Sequence, residues 1–224
     1  MKSVFLVLLL VGCVLLVNGQ EKRVYTTTSG EIIFSFADIR MNGSDVESVI
    51  RFAPVLNLQS WVNVDYTDKF GVFTGLSLRN VGFIYDVPNS NQRKKARTYN
   101  FGIPLGVKLG NLDNLFFFGG YELEIPFNYK EKTFVDEEKE DKFTVWFSKR
   151  TPTFSHSLMA GVQLPKGLTL KFKYYLTNFY KKSYSTDDEQ GNPYKPYENM
   201  DVNVFYISLN FGLLKNSDFY YSGD

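Results

Sequence analysis

Cysteine is almost absent from this sequence, in which Cys13 is the only one among 224 residues. A disulfide joins two cysteines, so the chain cannot build an internal disulfide framework. Cys13 also lies in an N-terminal apolar segment that we expect to be removed. The mature chain would then have no thiol nucleophile and no cysteine-based metal site.

The sequence also lacks a strong net charge and, after residue 20, a long apolar run. Lysine and arginine number 25, and aspartate and glutamate 24, which gives a formal net charge of +1. Nothing global therefore attracts nucleic acid, and we expect no nucleic-acid partner. No later segment approaches the roughly 20 apolar residues that a membrane-spanning helix needs. If the mature chain enters a membrane, it must do so with β-strands.

The first 19 residues have the layout of a secretory signal peptide. Lys2 precedes an apolar run from residue 4 to residue 17, and Asn18 and Gly19 then lead into polar residues. Cleavage after Gly19 would leave residues 20–224 as one domain of ordinary size. In a competing interpretation, residues 10–13 (LVGC) resemble a lipoprotein cleavage box with Cys13 as the lipidated residue, although apolar residues continue after it.

What the chain has in abundance is aromatic residues, 17% of the total, and apolar residues at alternate positions. In residues 99–109 the odd positions are apolar, and the even ones hold asparagine, glycine, proline and lysine. Side chains of a strand alternate between its two faces, so this segment is a strand with one apolar and one polar face. Eight segments show this pattern, near residues 30–38, 50–64, 70–86, 97–109, 115–129, 153–164, 168–181 and 201–213.

The connections between these segments alternate strictly between long and short. The short ones are DYTDK, GNLDN and PKG, and the long ones are RMNGSDVES, DVPNSNQRKKAR, KEKTFVDEEKEDKFTVWFSKR and KKSYSTDDEQGNPYKPYENM. Barrels of the bacterial outer membrane have short periplasmic turns, longer outside loops and an even number of strands. We predict an all-β fold, an eight-stranded antiparallel transmembrane up-and-down β-barrel, followed by a short periplasmic tail at 214–224.

The composition of the two faces favours lipid outside and polar residues inside. The apolar face carries almost no charge in mid-strand. The polar face is rich in glycine and carries charges of both signs, namely Glu31, Arg51, Arg79, Lys108, Glu122, Glu124, Lys171 and Lys173. A soluble barrel would place its charges outside, so a soluble lipid-binding barrel is the less favoured alternative.

The charges on the polar face are the candidate interior site. Eight strands enclose room only for side chains or one small ligand. We expect Glu122 and Glu124 to pair with the arginines and lysines as a salt-bridged plug, because unpaired buried charges cost several kcal/mol each. The alternative is a narrow gated ion path, because ionisable residues at membrane depth often mark one. No pattern predicts a cofactor or a metal.

At this point the chain resembles the small eight-stranded outer-membrane barrels, such as the membrane domain of OmpA and the OmpX type. The resemblance covers nearly the whole mature chain and is one of architecture. The segments VYTTTSGEIIFSF and NLFFFGGYELEIPF look like barrels common in Bacteroidota. One departure is the C-terminus, where LKNSDFYYSGD follows the last strand in place of a terminal aromatic residue.

His156, the only histidine, raises the possibility of an enzyme at the rim of the barrel. Some eight-stranded barrels acylate lipids with a serine and a histidine near the outer rim. Ser155 and Ser157 flank His156, but adjacent residues of a strand point to opposite faces and do not come within hydrogen-bond reach. We therefore expect no catalytic residue, with His156 at the lipid interface.

The predicted loops carry the remaining candidates. Residues 92–97 are basic and residues 136–141 acidic, so we expect loop contacts to lipid phosphates or a partner through Arg93, Lys94, Lys95, Tyr194 and Tyr197. Aromatic residues near the strand ends predict an interfacial belt, formed by Tyr85, Tyr99, Phe127, Tyr129, Phe154 and Tyr180.

These features predict an exported protein of the bacterial outer membrane with a structural or interaction role. It would be an accessory subunit of an envelope complex or a stand-alone surface barrel. Its expected partners are outer-membrane lipid or lipopolysaccharide and, through loops or tail, other envelope proteins. A narrow channel or transporter and a rim-located lipid-modifying enzyme are the alternatives.

Overall fold

The computed structural model describes residues 22–188, 190–213 and 217–221. The predicted signal peptide with its cleavage site, and Cys13, lie outside the described residues, as do parts of the predicted C-terminal tail. Among the residues that the structure describes, no helix has the length and hydrophobicity to cross a membrane.

Eight antiparallel strands form a closed ring. They are β1 (Lys22–Met41), β2 (Arg51–Ala53 and Leu58–Asp65), β3 (Phe70–Asp86), β4 (Gln92–Gly110), β5 (Phe116–Val135), β6 (Ser155–Gln163), β7 (Thr169–Tyr175) and β8 (Met200–Gly212). Each strand pairs with its neighbours in the sequence, and β8 pairs back to β1. This is an up-and-down barrel, and the predicted fold class is confirmed.

The two ends of the barrel differ. At one end, named here the turn end, β2–β3, β4–β5 and β6–β7 are joined by short turns, one of which is the 3-10 turn Pro165–Gly167. At the other end, named the hairpin end, the connections are long and partly folded into strands. Short strands lie there at Ser44–Val46, Ser48–Val49, Thr186–Asp187 and Pro193–Tyr194.

The hairpin end contains more strand than the sequence predicts. β3 and β4 stay paired from Phe70 opposite Leu109 to Asp86 opposite Arg93. β5 continues in the same way and pairs with a further strand, Glu138–Trp146. The basic segment 92–97 and most of residues 130–146 therefore lie in long hairpins, where the sequence predicts loops.

Strand β2 is interrupted where the sequence predicts a continuous strand at 50–64. Pro54 has no N–H for the ladder, and Leu56 adopts a positive φ of 61°. Asn57 holds the interruption together, because its Nδ2 donates to the Ala53 carbonyl at 2.7 Å and its Oδ1 accepts the Asn80 N–H at 2.8 Å. Residues 54–56 are thus displaced to the exterior.

Two further differences concern the end of β7 and the tail. β7 ends at Tyr175, and beyond it Phe179 and Tyr180 turn into the barrel and are buried. Within the tail, residues Ser217–Tyr221 form a strand paired with Lys22–Thr26 of β1. This part of the tail extends the wall of the barrel at the turn end.

The barrel exterior is an apolar belt. Large side chains point outward from nearly every strand, including Leu76 and Leu105, which are 68% and 63% exposed. Others are Phe52, Phe101, Ile103, Phe117, Leu158, Leu170, Phe172 and Ile207. A continuous apolar surface of this extent is solvated by lipid chains, and the closed ring leaves no unpaired strand edge within it.

The interior is filled in three layers, whose order can be followed along β3. Nearest the turn end, Phe73 packs with Trp61, Phe118 and Met159. Arg79 follows in a charged middle layer with no exposure. Beyond it, Phe83 and Tyr85 belong to an apolar layer towards the hairpin end that also holds Ile39, Tyr129, Phe179, Tyr180 and Val202.

Candidate functional site

Arg79 is the centre of the charged middle layer. Its guanidinium donates to Glu31 and to both carboxylate oxygens of Glu122, where the Nη2–Oε2 distance is 3.2 Å. Its Nε lies 3.6 Å from Glu124 Oε1. One arginine of β3 therefore contacts glutamates of β1 and β5, which lie on separate parts of the barrel wall.

Two lysines of β7 complete this layer. Lys171 Nζ lies 2.9 Å from Glu31 Oε1, and Lys173 Nζ lies 2.5 Å from Glu122 Oε2 and also pairs with Glu124. Arg79, Lys171 and Lys173 thus face Glu31, Glu122 and Glu124. Three cations meet three carboxylates, all six residues are buried, and their charges cancel.

Neutral side chains add further hydrogen bonds to the charged groups of the middle layer. Gln59 Oε1 accepts from Lys171 at 3.1 Å and from Arg79 at 3.2 Å. Tyr175 OH donates to Glu124 at 2.8 Å, and Asn100 Nδ2 donates to the same carboxylate at 2.6 Å. Ser208 and Ser77 donate to Glu31 and Glu122. Each charged group of the layer therefore has hydrogen-bond partners, which a buried charge network needs to be stable.

Two residues predicted for this network lie elsewhere. Lys108 is near the turn end, where its Nζ lies 2.5 Å from Asp65 Oδ1 and donates to Tyr25 OH at 2.9 Å. Arg51 is buried beside the interruption of β2 and donates to the carbonyl of Asn80 at 3.2 Å and to its side chain. Neither contacts Glu122 or Glu124, so the predicted set is divided among three places.

A cavity of about 260 Å³ opens at the turn end. Arg23, Asn63, Asp113 and Thr169 contribute to its lining, and Trp61 and Phe116 face it from the first apolar layer. Among the described residues, no group of three or more histidine, cysteine, aspartate or glutamate side chains is arranged to hold a metal ion.

His156 and its flanking serines lie on opposite faces of β6. His156 is on the exterior and hydrogen-bonds through Nδ1 to Tyr121 OH. Ser157 is fully buried in the interior, where its Oγ donates to the Glu122 carbonyl at 3.1 Å, and Ser155 is buried on the same face. The histidine does not activate either serine in this geometry.

The candidate loop residues separate into different environments. Arg93 is exposed and binds Asp86 through two hydrogen bonds, at 2.6 and 3.1 Å, which hold the pKa of Asp86 below its usual value. Lys94 points to the inner side of the hairpin, 3.7 Å from Glu131. Lys95 points to the outer side. The basic segment is thus divided by strand alternation between two faces.

The two tyrosines expected to contact a partner also differ. Tyr194 is 48% exposed. Tyr197 instead stacks on Tyr180, with ring centroids 4.0 Å apart, and packs against the apolar layer at the hairpin end. Tyr197 is therefore partly buried, and its contact with a partner stays a prediction.

The predicted aromatic belt is half wrong. Tyr99 and Phe127 lie on the exterior, with Phe127 stacked on Phe101 and Trp146, and Phe154 is exposed. The remaining three residues, Tyr85, Tyr129 and Tyr180, are buried inside. Tyr85 keeps the interior parity of β3, while a register shift at Asn100 rotates the end of β5 and turns Tyr129 inward.

Some residues of these sites were missed by sequence reasoning. Gln59 and Tyr175 lie on the interior face of predicted strands, and Asp65 directly follows one. Nothing else in the sequence marks these three residues as partners of the interior charges. Three further lysines of the long hairpins, Lys130, Lys132 and Lys142, lie in a segment that the sequence predicts as a loop, so the sequence assigns them to neither face of a strand.

No protein-family model and no curated protein matches the sequence. Among solved structures, the chain is similar to Ail, the attachment invasion locus protein of Yersinia pestis, in complex with the heparin analogue sucrose octasulfate, with 9% identity and a TM-score of 0.36 over 87% of this chain and 100% of that one. Neisserial surface protein A is 8% identical, with a TM-score of 0.36 over 86% of this chain and 97% of that one. The outer membrane protein OprG from Pseudomonas aeruginosa is 12% identical, with a TM-score of 0.26 over 86% of this chain and 96% of that one. These values are too low to indicate a shared function, and the barrel assignment rests on its own strand pairing.

Proposed function

We propose that this chain is an integral barrel of a Gram-negative outer membrane, with a sealed interior and a structural or interaction role. It acts as an accessory subunit of an envelope complex or as a stand-alone surface barrel. Kinship with the OmpA membrane domain and OmpX type, or with barrels of Bacteroidota, stays a prediction. The observation that carries the proposal is the neutral middle layer of three cations and three carboxylates, closed on each side by an apolar layer.

The orientation follows from the two ends of the barrel. In outer-membrane barrels the short turns are periplasmic and the longer connections are outside. The turn end, together with the tail strand Ser217–Tyr221, is then periplasmic, and the long hairpins project from the cell. Its partners are outer-membrane lipid or lipopolysaccharide, which contact its sides, and other envelope proteins, which contact the hairpins or the tail.

The sealed interior argues against a channel. Water that enters the cavity at the turn end meets the layer of Trp61, Phe73, Phe118 and Met159, and the charges beyond it are bound to one another. A rim enzyme is disfavoured because His156 and the serines beside it are on opposite faces. We therefore propose a protein without catalytic activity.

Conductance of the purified barrel in a planar bilayer tests this proposal. We expect no discrete current steps from the unmodified protein. Arg79→Met, which disturbs the middle layer, and Lys149→Gln, an exposed control away from the cavity at the turn end, form the matched pair. Reproducible steps from the unmodified protein that change in Arg79→Met but not in Lys149→Gln would establish a conducting interior and overturn the proposal.

The interaction role needs its own experiment. A tag on the C-terminal tail and solubilisation of native envelopes in mild detergent would show which proteins purify in fixed ratio. A stoichiometric partner would support an accessory subunit, and a barrel that purifies alone would support a stand-alone surface protein. Recovery without any detergent would contradict the membrane assignment.

A further inference from the structure

The exterior of the hairpin end carries a patch of five cations on three adjacent strands. The outer cation patch consists of Lys95 and Arg97 on β4, Lys130 and Lys132 on β5, and Lys142 on the strand Glu138–Trp146. Arg97 lies opposite Lys130, and Lys95 opposite Lys132, which in turn lies opposite Lys142. Paired strands are about 4.8 Å apart and alternate residues about 7 Å apart, so the patch spans about 10 Å across the strands and about 7 Å along them.

No carboxylate neutralises this patch within the part of the chain that the structure describes. None of the five cations has an ion pair there, and the residues opposite them on the outer strands are Gly82, Ile84 and Thr144. Glu131 faces inward with Lys94, and Asp86 binds Arg93. Glu140 and Asp141 precede Lys142 on its strand, where Asp141 lies opposite Thr133. Asp136 and Glu137 line a cleft of about 380 Å³ towards the hairpin tip, which Lys95 also borders.

The electrostatic environment of the patch agrees with this geometry. Partial burial, followed by the charges of Arg51, Arg97 and Lys132, lowers the pKa of Lys95. Desolvation, followed by Arg97, Lys142 and Lys132, lowers the pKa of Lys130. Like charges directly opposite each other destabilise paired strands. An anion bound from outside the protein would remove that repulsion.

The position of the patch indicates where the anion comes from. Immediately towards the membrane, Tyr99, Phe127 and Trp146 form a row of exterior aromatic rings, with the Phe127 and Trp146 centroids 5.8 Å apart. Arg97 lies over the Tyr99 ring at 5.4 Å. Aromatic rows of this kind lie at the membrane–water interface. The cations directly above the row are therefore level with lipid headgroups and face sideways towards them.

We propose that the outer cation patch is a binding site for the phosphate groups of an outer-leaflet lipid. This inference rests on the proposed function, because it needs the hairpin end to face the outer leaflet. Arg97 and Lys130 contact a phosphate nearest the aromatic row, and Lys95, Lys132 and Lys142 contact a second one farther out. Guanidinium and ammonium groups both bind phosphate, and the guanidinium does so through two parallel hydrogen bonds. The acyl chains of the same lipid lie on Phe101 and Ile103 below.

The test uses the full-length mature barrel, two forms of one lipid and a matched pair of variants. The barrel is first inserted into phosphatidylcholine vesicles, and insertion is verified by the altered gel mobility of the unheated protein. Native mass spectrometry in mild detergent then measures the affinity for lipid A carrying two phosphates and for fully dephosphorylated lipid A. Inorganic phosphate serves as a soluble competitor. The double variant Arg97→Gln/Lys130→Gln is compared with Lys149→Gln/Lys166→Gln, which removes the same charge from exposed positions outside the patch.

We expect Arg97→Gln/Lys130→Gln to weaken binding of phosphorylated lipid A by roughly tenfold or more, since each basic residue near anionic lipid contributes severalfold. The control pair should change it less than about twofold. Removal of the phosphates should have the same effect as the patch variant, and millimolar inorganic phosphate should not compete.

Three results would overturn the site. They are equal binding of both forms of lipid A, equal loss in both double variants, and displacement of the lipid by inorganic phosphate at low concentration, which would indicate a free-anion site. Failure of the barrel to insert into the vesicles is a different result, because it would contradict the proposed membrane function itself.

Discussion

Replacement of Arg79 by methionine tests the reasoning about the middle layer most sharply. The arginine is fully buried and contacts Glu31, Glu122 and Gln59. Its removal leaves two lysines facing three carboxylates, with no water to screen the excess charge. Removing one partner of a buried ion pair costs about 3–5 kcal/mol, and we expect the unfolding free energy of Arg79→Met to fall by that amount.

The assay is urea unfolding of the vesicle-inserted barrel, followed by tryptophan fluorescence. Arg40→Met is the matched control, because Arg40 forms an exposed pair with Asp45 at 3.2 Å, and such pairs contribute about 1 kcal/mol or less. The double variant Arg79→Met/Glu122→Gln restores neutrality, since two lysines then face two carboxylates. Its loss of unfolding free energy should be smaller, by about 1–3 kcal/mol, than the sum of the losses in Arg79→Met and Glu122→Gln alone. Strict additivity, or equal losses in Arg79→Met and Arg40→Met, would refute the network.

Two further predictions concern packing and pH. Gly106→Ala should prevent stable insertion, because the new Cβ would lie 2.4 Å from the Phe73 ring and 2.6 Å from a backbone oxygen. Gly119→Ala should insert normally, because nothing lies nearer than 3.8 Å to its new Cβ. Gel mobility of the unheated protein compares the two variants, and equal insertion would contradict the packing. The ion pair with Arg93 holds the pKa of Asp86 low. The pair therefore stabilises the folded hairpin above the pKa that aspartate has in the unfolded chain, about 4, and this stabilisation is lost as the pH falls through the lower pKa of the folded state. An NMR titration should show this pKa rising in Arg93→Gln and staying unchanged in Lys149→Gln.

Strand parity accounts for how much of the barrel could be predicted from the sequence. Apolar residues such as Leu76 and Leu105 and charged ones such as Arg79 and Glu122 alternate strictly, since each strand separates lipid from the barrel interior. The same rule applied to Tyr85 would have placed it inside. The alternation shifts by one residue only where β5 changes register, opposite Asn100, whereas β2 keeps its odd positions inside on both sides of Pro54.

Other features depend on geometry that one sequence does not contain. Which lysine meets which glutamate is determined by the stagger of neighbouring strands, so Lys108 pairs with Asp65 although its parity is that of the middle layer. Above the row of exterior aromatic residues, the outer face of the hairpin strands carries lysine and arginine in place of the apolar residues that mark a strand in the membrane. For that reason residues 130–146 looked like a loop, and the outer cation patch became visible only from the pairing of three strands.

The most direct test of the central claim is the environment of the outward-facing side chains. Single cysteines at Phe101, Ile103, Leu105 and Val107, in a Cys13→Ser background, would be spin-labelled in the vesicle-inserted barrel. Oxygen dissolves in lipid, so we expect it to accelerate the spin relaxation of these labels, and we expect a water-soluble nickel complex to have little effect on them. A label at Asn91 in the hairpin should respond strongly to the nickel complex and weakly to oxygen. Labels at Ile103 and Leu105 that the nickel complex reaches as readily as the one at Asn91 would show that this face meets water and contradict the transmembrane barrel.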